Sequence, residues 1–81
     1  MDEKAILDRI NAFIEEEHGL REAHERAETT SAEAQERLRR LEVALDQCWD
    51  LLRQRRARMA AGQNPDDAEV RPAGEVEGYL Q

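Results

Sequence analysis

Two stretches of the chain place mostly apolar residues at alternating intervals of four and three, and that period most narrows what 81 residues can become. The first runs through Ile6, Ile10, Phe13, Glu17, Leu20, His24 and Ala27. The second runs through Ala34, Leu38, Leu41, Leu45, Cys48, Leu52, Arg55 and Met59. Such spacing keeps side chains on one stripe of an α-helix, whereas a half-buried strand alternates every second residue. Thr29-Thr30-Ser31 separates the two runs. Thr30 followed by Glu33 has the pattern of a capping box, in which hydroxyl and carboxylate each satisfy an orphan backbone N–H; Ser31 is the alternative cap. Gly62 and then Asn64-Pro65 form the stop signal of the second run. Gly19 lies inside the first run at a cost of about 1 kcal/mol relative to alanine. The phase continues through it, so one helix with at most a slight bend is expected. The sequence predicts helices over about 2–29 and 31–61, a hairpin domain 1–61, and a Gly- and Pro-containing acidic tail, 62–81.

The short connection makes the helices antiparallel neighbours, with residue i roughly opposite residue 60 − i. Phe13 then faces the Leu45–Cys48 level, Ile6 faces Leu52–Arg55, and Leu20 faces Leu41. Leu7 and Ile14 flank the first stripe, and Ala44, Trp49 and Leu51 flank the second. At 100° per residue the apolar arc of each helix is about 160° wide, more than one partner helix covers. A chain this short cannot build a large core of its own. Self-association resolves the surplus, because two hairpins face to face make a four-helix bundle. The predicted fold is therefore all-α: an antiparallel two-helix hairpin with an extended acidic C-terminal tail, forming a dimeric four-helix bundle. Its core and dimer contacts are expected from Leu7, Ile10, Phe13, Ile14, Leu20, Leu41, Leu45, Cys48, Trp49, Leu51 and Leu52.

Composition removes several classes. No stretch approaches the ~20 apolar residues that span a bilayer. One cysteine cannot form a disulfide framework within the chain. Met1-Asp2-Glu3-Lys4 leads into an amphipathic pattern rather than a secretory signal, so a cytoplasmic location is expected. The net charge of −7 is uneven. Residues 1–30 carry −5, residues 31–61 carry +2, and the last twenty residues carry −4 with a single base, Arg71. In the tail, Asn64-Pro65-Asp66-Asp67 suits one capped helical turn, with proline first and acids near the positive dipole end. Arg71 precedes Pro72 and is expected to be extended. Val70, Val76, Tyr79 and Leu80 are its apolar handles; docking on the bundle is the favoured use, and waiting for a partner the other.

Few residues suggest chemistry. Glu15 and His18 have the Glu-x-x-His spacing of carboxylate–histidine metal bundles, with Glu17 and His24 further candidate ligands. Glu17 lies on the inward stripe, but Glu15 and His18 fall toward its edge, and a solvated acidic face explains them. His24 on an apolar stripe reads first as a hydrogen-bonded packing residue and second as a ligand or pH sensor. Glu17 and His24 otherwise serve register or sit at the bundle periphery. Cys48 has no histidine at its level and reads as a packing thiol. No phosphate-binding glycine loop or serine nucleophile motif is present. Arg53, Arg55, Arg56 and Arg58 form the one basic cluster. Clustered cations suit phosphates, yet cations also suit a helix C-terminus, and Asp2, Glu3 and Asp8 should lie opposite. With net −7 and no interleaved aromatics, nucleic acid is not the expected partner.

Leu41 through Arg56 (Leu-Glu-Val-Ala-Leu-Asp-Gln-Cys-Trp-Asp-Leu-Leu-Arg-Gln-Arg-Arg), Arg71-Pro72, the ending Val76 through Gln81, and Glu16-Glu17-His18 with Leu20-Arg21 carry a resemblance over nearly the whole chain. It resembles a small actinobacterial protein family catalogued only as a domain of unknown function. The resemblance implies no activity, cofactor or catalytic residue; it does imply that the tail belongs to the protein as much as the helices do. The expected function is a non-enzymatic, cytoplasmic, dimeric helical protein–protein interaction module without cofactor. Arg53, Arg55, Arg56, Arg58, Tyr79 and Leu80 are its candidate partner-binding residues. A carboxylate–histidine metal bundle is the alternative, and a nucleic-acid accessory protein acting through Arg53–Arg58 the third reading.

Overall fold

The computed structural model describes residues 1–79, and its regular structure there is helical throughout. Helix α1 spans Glu3–Glu25 and α2 spans Ser31–Ala60; a 3-10 turn at Pro65–Asp67 and a short α3, Ala73–Tyr79, follow. The Asp2 carboxylate caps α1 by accepting from the Ala5 N–H at 2.8 Å. Gly19 does not interrupt the helix. Helix α1 nevertheless ends four residues before the expected boundary. Ala27 turns left-handed (φ 58°), and the Glu28 and Ala27 N–H groups return to the carbonyls of Ala23 and His24 at 2.9 and 3.0 Å. This is a Schellman ending, built on alanine where glycine is usual. The left-handed conformation costs an L-residue roughly 1–2 kcal/mol, so composition alone gave no sign of a stop there.

Thr30 caps α2, its hydroxyl accepting from the Glu33 N–H at 3.1 Å. The box is completed differently from the expectation: the Glu33 carboxylate accepts from the Thr29 hydroxyl at 3.1 Å. At the other end the same Schellman bonds recur. Gly62 (φ 74°) and Gln63 donate to Met59 and Arg58 at 3.1 and 2.7 Å.

The helices pack as an antiparallel hairpin. Ile6, Ile10, Leu51 and Leu52 form the buried cluster, with Leu7, Leu45, Cys48 and Ala68 against it. Arg56 Nε donates to Glu3 at 2.9 Å near the open end, and Arg37 reaches Glu16 nearer the turn. The core thins toward the turn, where Ala34 and Leu41 are buried, Leu20 is half-buried, and His24 and Ala27 are exposed. The first apolar stripe therefore runs out before His24, because α1 is already ending there. Ile14 and Trp49 stay outside the single chain's core.

The tail is not extended. Asn64 caps the 3-10 turn, accepting from the Asp66 N–H at 3.0 Å with Pro65 first, as the sequence suggested. Helix α3 was not expected, since a seven-residue helix containing Gly74 has little intrinsic stability. It forms because the Pro72 carbonyl accepts from Glu75 and Val76 at 3.0 and 3.2 Å, and because Val76 is 1% exposed. The tail lies along α2, which thus carries α1 on one side and the tail on another. The Cα envelope measures 50 × 26 × 14 Å, a flattened slab. Among the described residues, no helix is long and apolar enough to cross a membrane.

Candidate functional site

The most organised polar cluster lies where α2 meets the tail. Gln47, Asp50 and Gln54, spaced by three and four residues, share one side of α2. Asp50 is 3% exposed, and a buried carboxylate is costly unless it is paired and hydrogen-bonded. Arg71 supplies the pair through Nε at 2.9 Å to one carboxylate oxygen and through Nη2 to the other. Gln54 adds a bond to Asp50 at 2.9 Å and also donates to the Glu69 carbonyl at 2.9 Å. Gln47 donates to the Arg71 carbonyl at 3.2 Å. The Arg71 guanidinium holds the Asp50 carboxyl below its ordinary range against the opposing effect of burial, and Gln54 assists. Asp50 in turn raises Arg71, which is charged at any accessible pH.

One turn further on, Arg55 is 8% exposed. Its Nη1 donates to the Pro65 carbonyl at 3.2 Å and to Asp66 at 2.8 Å, drawing the exposed Asp66 carboxyl below its usual value. These bonds fasten two tail segments to α2 through side chains that α2 already presents in register. None of Gln47, Asp50, Gln54 or Arg71 stands among the candidate residues drawn from the sequence. Two signals existed: Arg71 is the only base in an acidic tail, and Asp50 interrupts the apolar run Trp49 to Leu52.

The slab has two faces. On one, Met1, Ile6, Arg9, Phe13, Ala44, Gln47, Cys48, Leu51 and Val70 line a groove of about 220 Å³. It continues toward the turn past Glu16, Arg37, Arg40 and Leu41. Burial pushes the Cys48 thiol up, only partly opposed by Arg9. It is therefore protonated at neutral pH and a weak nucleophile. The other face carries Leu7, Ile14 and Trp49. Glu3, Leu7 and Ile14 follow one line of α1, Trp49 and Arg56 one line of α2, and the Glu3–Arg56 pair joins the two lines.

The predicted metal candidates do not converge. Glu15 and His24 are exposed, Glu17 takes Arg21 at 3.4 Å, and His18 lies 3.2 Å from Glu22. Among the described residues, no group of three or more His, Cys, Asp or Glu side chains could hold a metal ion. The arginine cluster is divided as well. Arg53 is exposed, Arg56 pairs with Glu3, and Arg58 reaches Gln63 at 3.5 Å. Arg55 is a correction: the tail buries it, because its guanidinium ties the 3-10 turn to α2, so it offers no partner surface. Tyr79 closes α3, but its side chain and Leu80 lie outside the described residues.

No solved structure matches the chain. Among proteins of known sequence it is similar to "Uncharacterized protein Rv0898c" of Mycobacterium tuberculosis, with 49% identity over 73 residues, 90% of this chain and 84% of the relative. The same figures hold for "Uncharacterized protein Mb0922c" of Mycobacterium bovis. Residues 2–81 match the family described as "Protein of unknown function (DUF2630)". With hairpin and tail both inside that match, the chain belongs to this family.

Proposed function

We propose that the protein is a non-enzymatic helical interaction module that works as a homodimer. The observation that carries this reading is the apolar surface that the single chain leaves in solvent. Ile14 and Trp49 remain 48% and 40% exposed. Stable domains bury the apolar side of each layer against another layer. The tail covers part of the hairpin, with Ala68 against the core and Val70 lining the groove, and leaves Ile14 and Trp49 uncovered. A second hairpin laid on the face that carries them covers both and makes a four-helix bundle. The 50 × 26 Å faces have room for the ~800 Å² per partner that a standard stable interface buries.

The groups that the sequence offered for chemistry stand apart among the described residues. The Cys48 thiol is held protonated, and Glu15, Glu17, His18 and His24 do not come together. Sedimentation equilibrium across the micromolar range tests the dimer, with a mass near twice 9.3 kDa expected. A fully helical species of 9.3 kDa over that whole range would refute it.

A further inference from the structure

Helix α2 carries a second line of residues with intervals of four and three, displaced from the one that meets α1: Glu42, Asp46, Trp49, Arg53 and Arg56. At 100° per residue the five fall within an arc of about 80°, and the line is about 21 Å long at 1.5 Å per residue. Four of them are exposed and Asp46 is half-buried. Among the described residues, Glu42, Asp46 and Arg53 take part in no intrachain ion pair, and Arg56 has only its exposed pair with Glu3.

The order of charge along this line is the informative feature. Its first half is acidic, its second half is basic, and the protein's one tryptophan stands at the midpoint, seven residues from each end. A line of that kind is complementary to its own reverse. Placed on an identical line running the other way, Glu42 meets Arg56 and Asp46 comes within one residue of Arg53, with tryptophan over tryptophan at the two-fold axis. A parallel copy would instead set acid on acid and base on base, which costs binding. The groove face has no such order along α2, and part of it is already lined by Val70 of the tail. The Trp49 face adds Leu7 and Ile14 from α1 as apolar flanks. Tryptophan and arginine are also the residue types that dominate interface energetics.

We propose that a second copy of this chain docks isologously on the Trp49 face, the two α2 helices crossing antiparallel at Trp49 with the Glu42–Asp46 half of each against the Arg53–Arg56 half of the other. This rests on the dimer reading above and specifies its geometry: the four charges of the line choose orientation and register, and Trp49, Ile14 and Leu7 supply the desolvated area.

The test uses the full chain and two variants, an all-basic line (Glu42→Arg with Asp46→Arg) and an all-acidic line (Arg53→Glu with Arg56→Glu). Each alone should dissociate at about tenfold or higher concentration than the unmodified chain, through like-charge contact across the axis. Mixed in equal amounts they should pair with each other at an affinity near that of the unmodified chain. Far-UV circular dichroism checks that both variants keep their helices. Independently of any variant, dilution of the unmodified dimer should shift Trp49 emission to the red as the ring meets water. If the unmodified chain never dimerises, the dimer reading fails and this proposal with it. If it dimerises but Trp49 emission does not move and the variants bind as before, the dimer stands and this face is wrong. Weakening without rescue on mixing would overturn the antiparallel arrangement.

Discussion

Helix α2 is held on two sides by different physics. Toward α1 the contact is apolar: Ile6 and Ile10 meet Leu51 and Leu52, and nothing in that cluster needs a particular partner atom. Toward the tail the contact is polar and directional, with Asp50, Gln47, Gln54 and Arg55 each engaging a specific tail group. Burial of apolar area tolerates small slips and scales with the area removed from water. A buried carboxylate does not tolerate them, because losing its cation leaves a desolvated charge. The apolar side therefore accounts for most of the stability, and the polar side for where the tail sits. A weakly apolar tail whose one fully buried side chain among the described residues is Val76 could otherwise slide along α2.

The largest effect should come from the apolar side. Ile10→Ala or Leu52→Ala should cost about 2–5 kcal/mol, read as a lower urea midpoint with helix content lost in one transition. Next comes the latch. Arg71→Ala should cost about 1–3 kcal/mol, moderated because the Arg71 side chain is 36% exposed. Its signature should be local: amide exchange at Val76 and across α3 should rise well before the hairpin opens.

Acid should act on the same latch. Asp50 has a folded pKa below its ordinary 3.8, so its contribution is fully present above that value and is lost as pH falls through the depressed one. Tail exchange protection should thus persist at pH 5 and fail only well below pH 4, ahead of the apolar cluster; loss of tail protection near neutral pH would contradict the Asp50–Arg71 linkage. The two connectors sharpen the comparison at about 1 kcal/mol. Gly62→Ala should destabilise and Ala27→Gly should stabilise by roughly that amount, measured as opposite shifts in melting temperature. The smallest effect should follow Arg56→Ala. Its pair with Glu3 has the same chemistry as the latch but lies in solvent, and about 0–1 kcal/mol is expected in the same denaturation experiment.

The hairpin was legible because its signals are local and periodic. The four–three spacing, Thr30 and Gly62 each act within one or two turns of chain. The early end of α1 was not legible, since Ala27 is an ordinary helix former that adopts φ 58° only because the turn requires a left-handed residue. The surplus apolar area that Ile14 and Trp49 carry was legible, while their exposure in the single chain follows from what the tail leaves uncovered. The latch was the least legible. Asp50 and Arg71 are 21 residues apart, and neither residue type announces its partner.

What this sequence determines by itself is two amphipathic helices, a tight reversal between them and a capped turn after Asn64, because period, caps and breakers work through neighbouring backbone groups. Only the tertiary structure decided that the tail returns to α2, that α3 forms at all, and that Arg55 is buried rather than offered to a partner. Those outcomes depend on desolvated charges finding partners far along the chain, and that pairing energy exists only once the helices have brought the groups together.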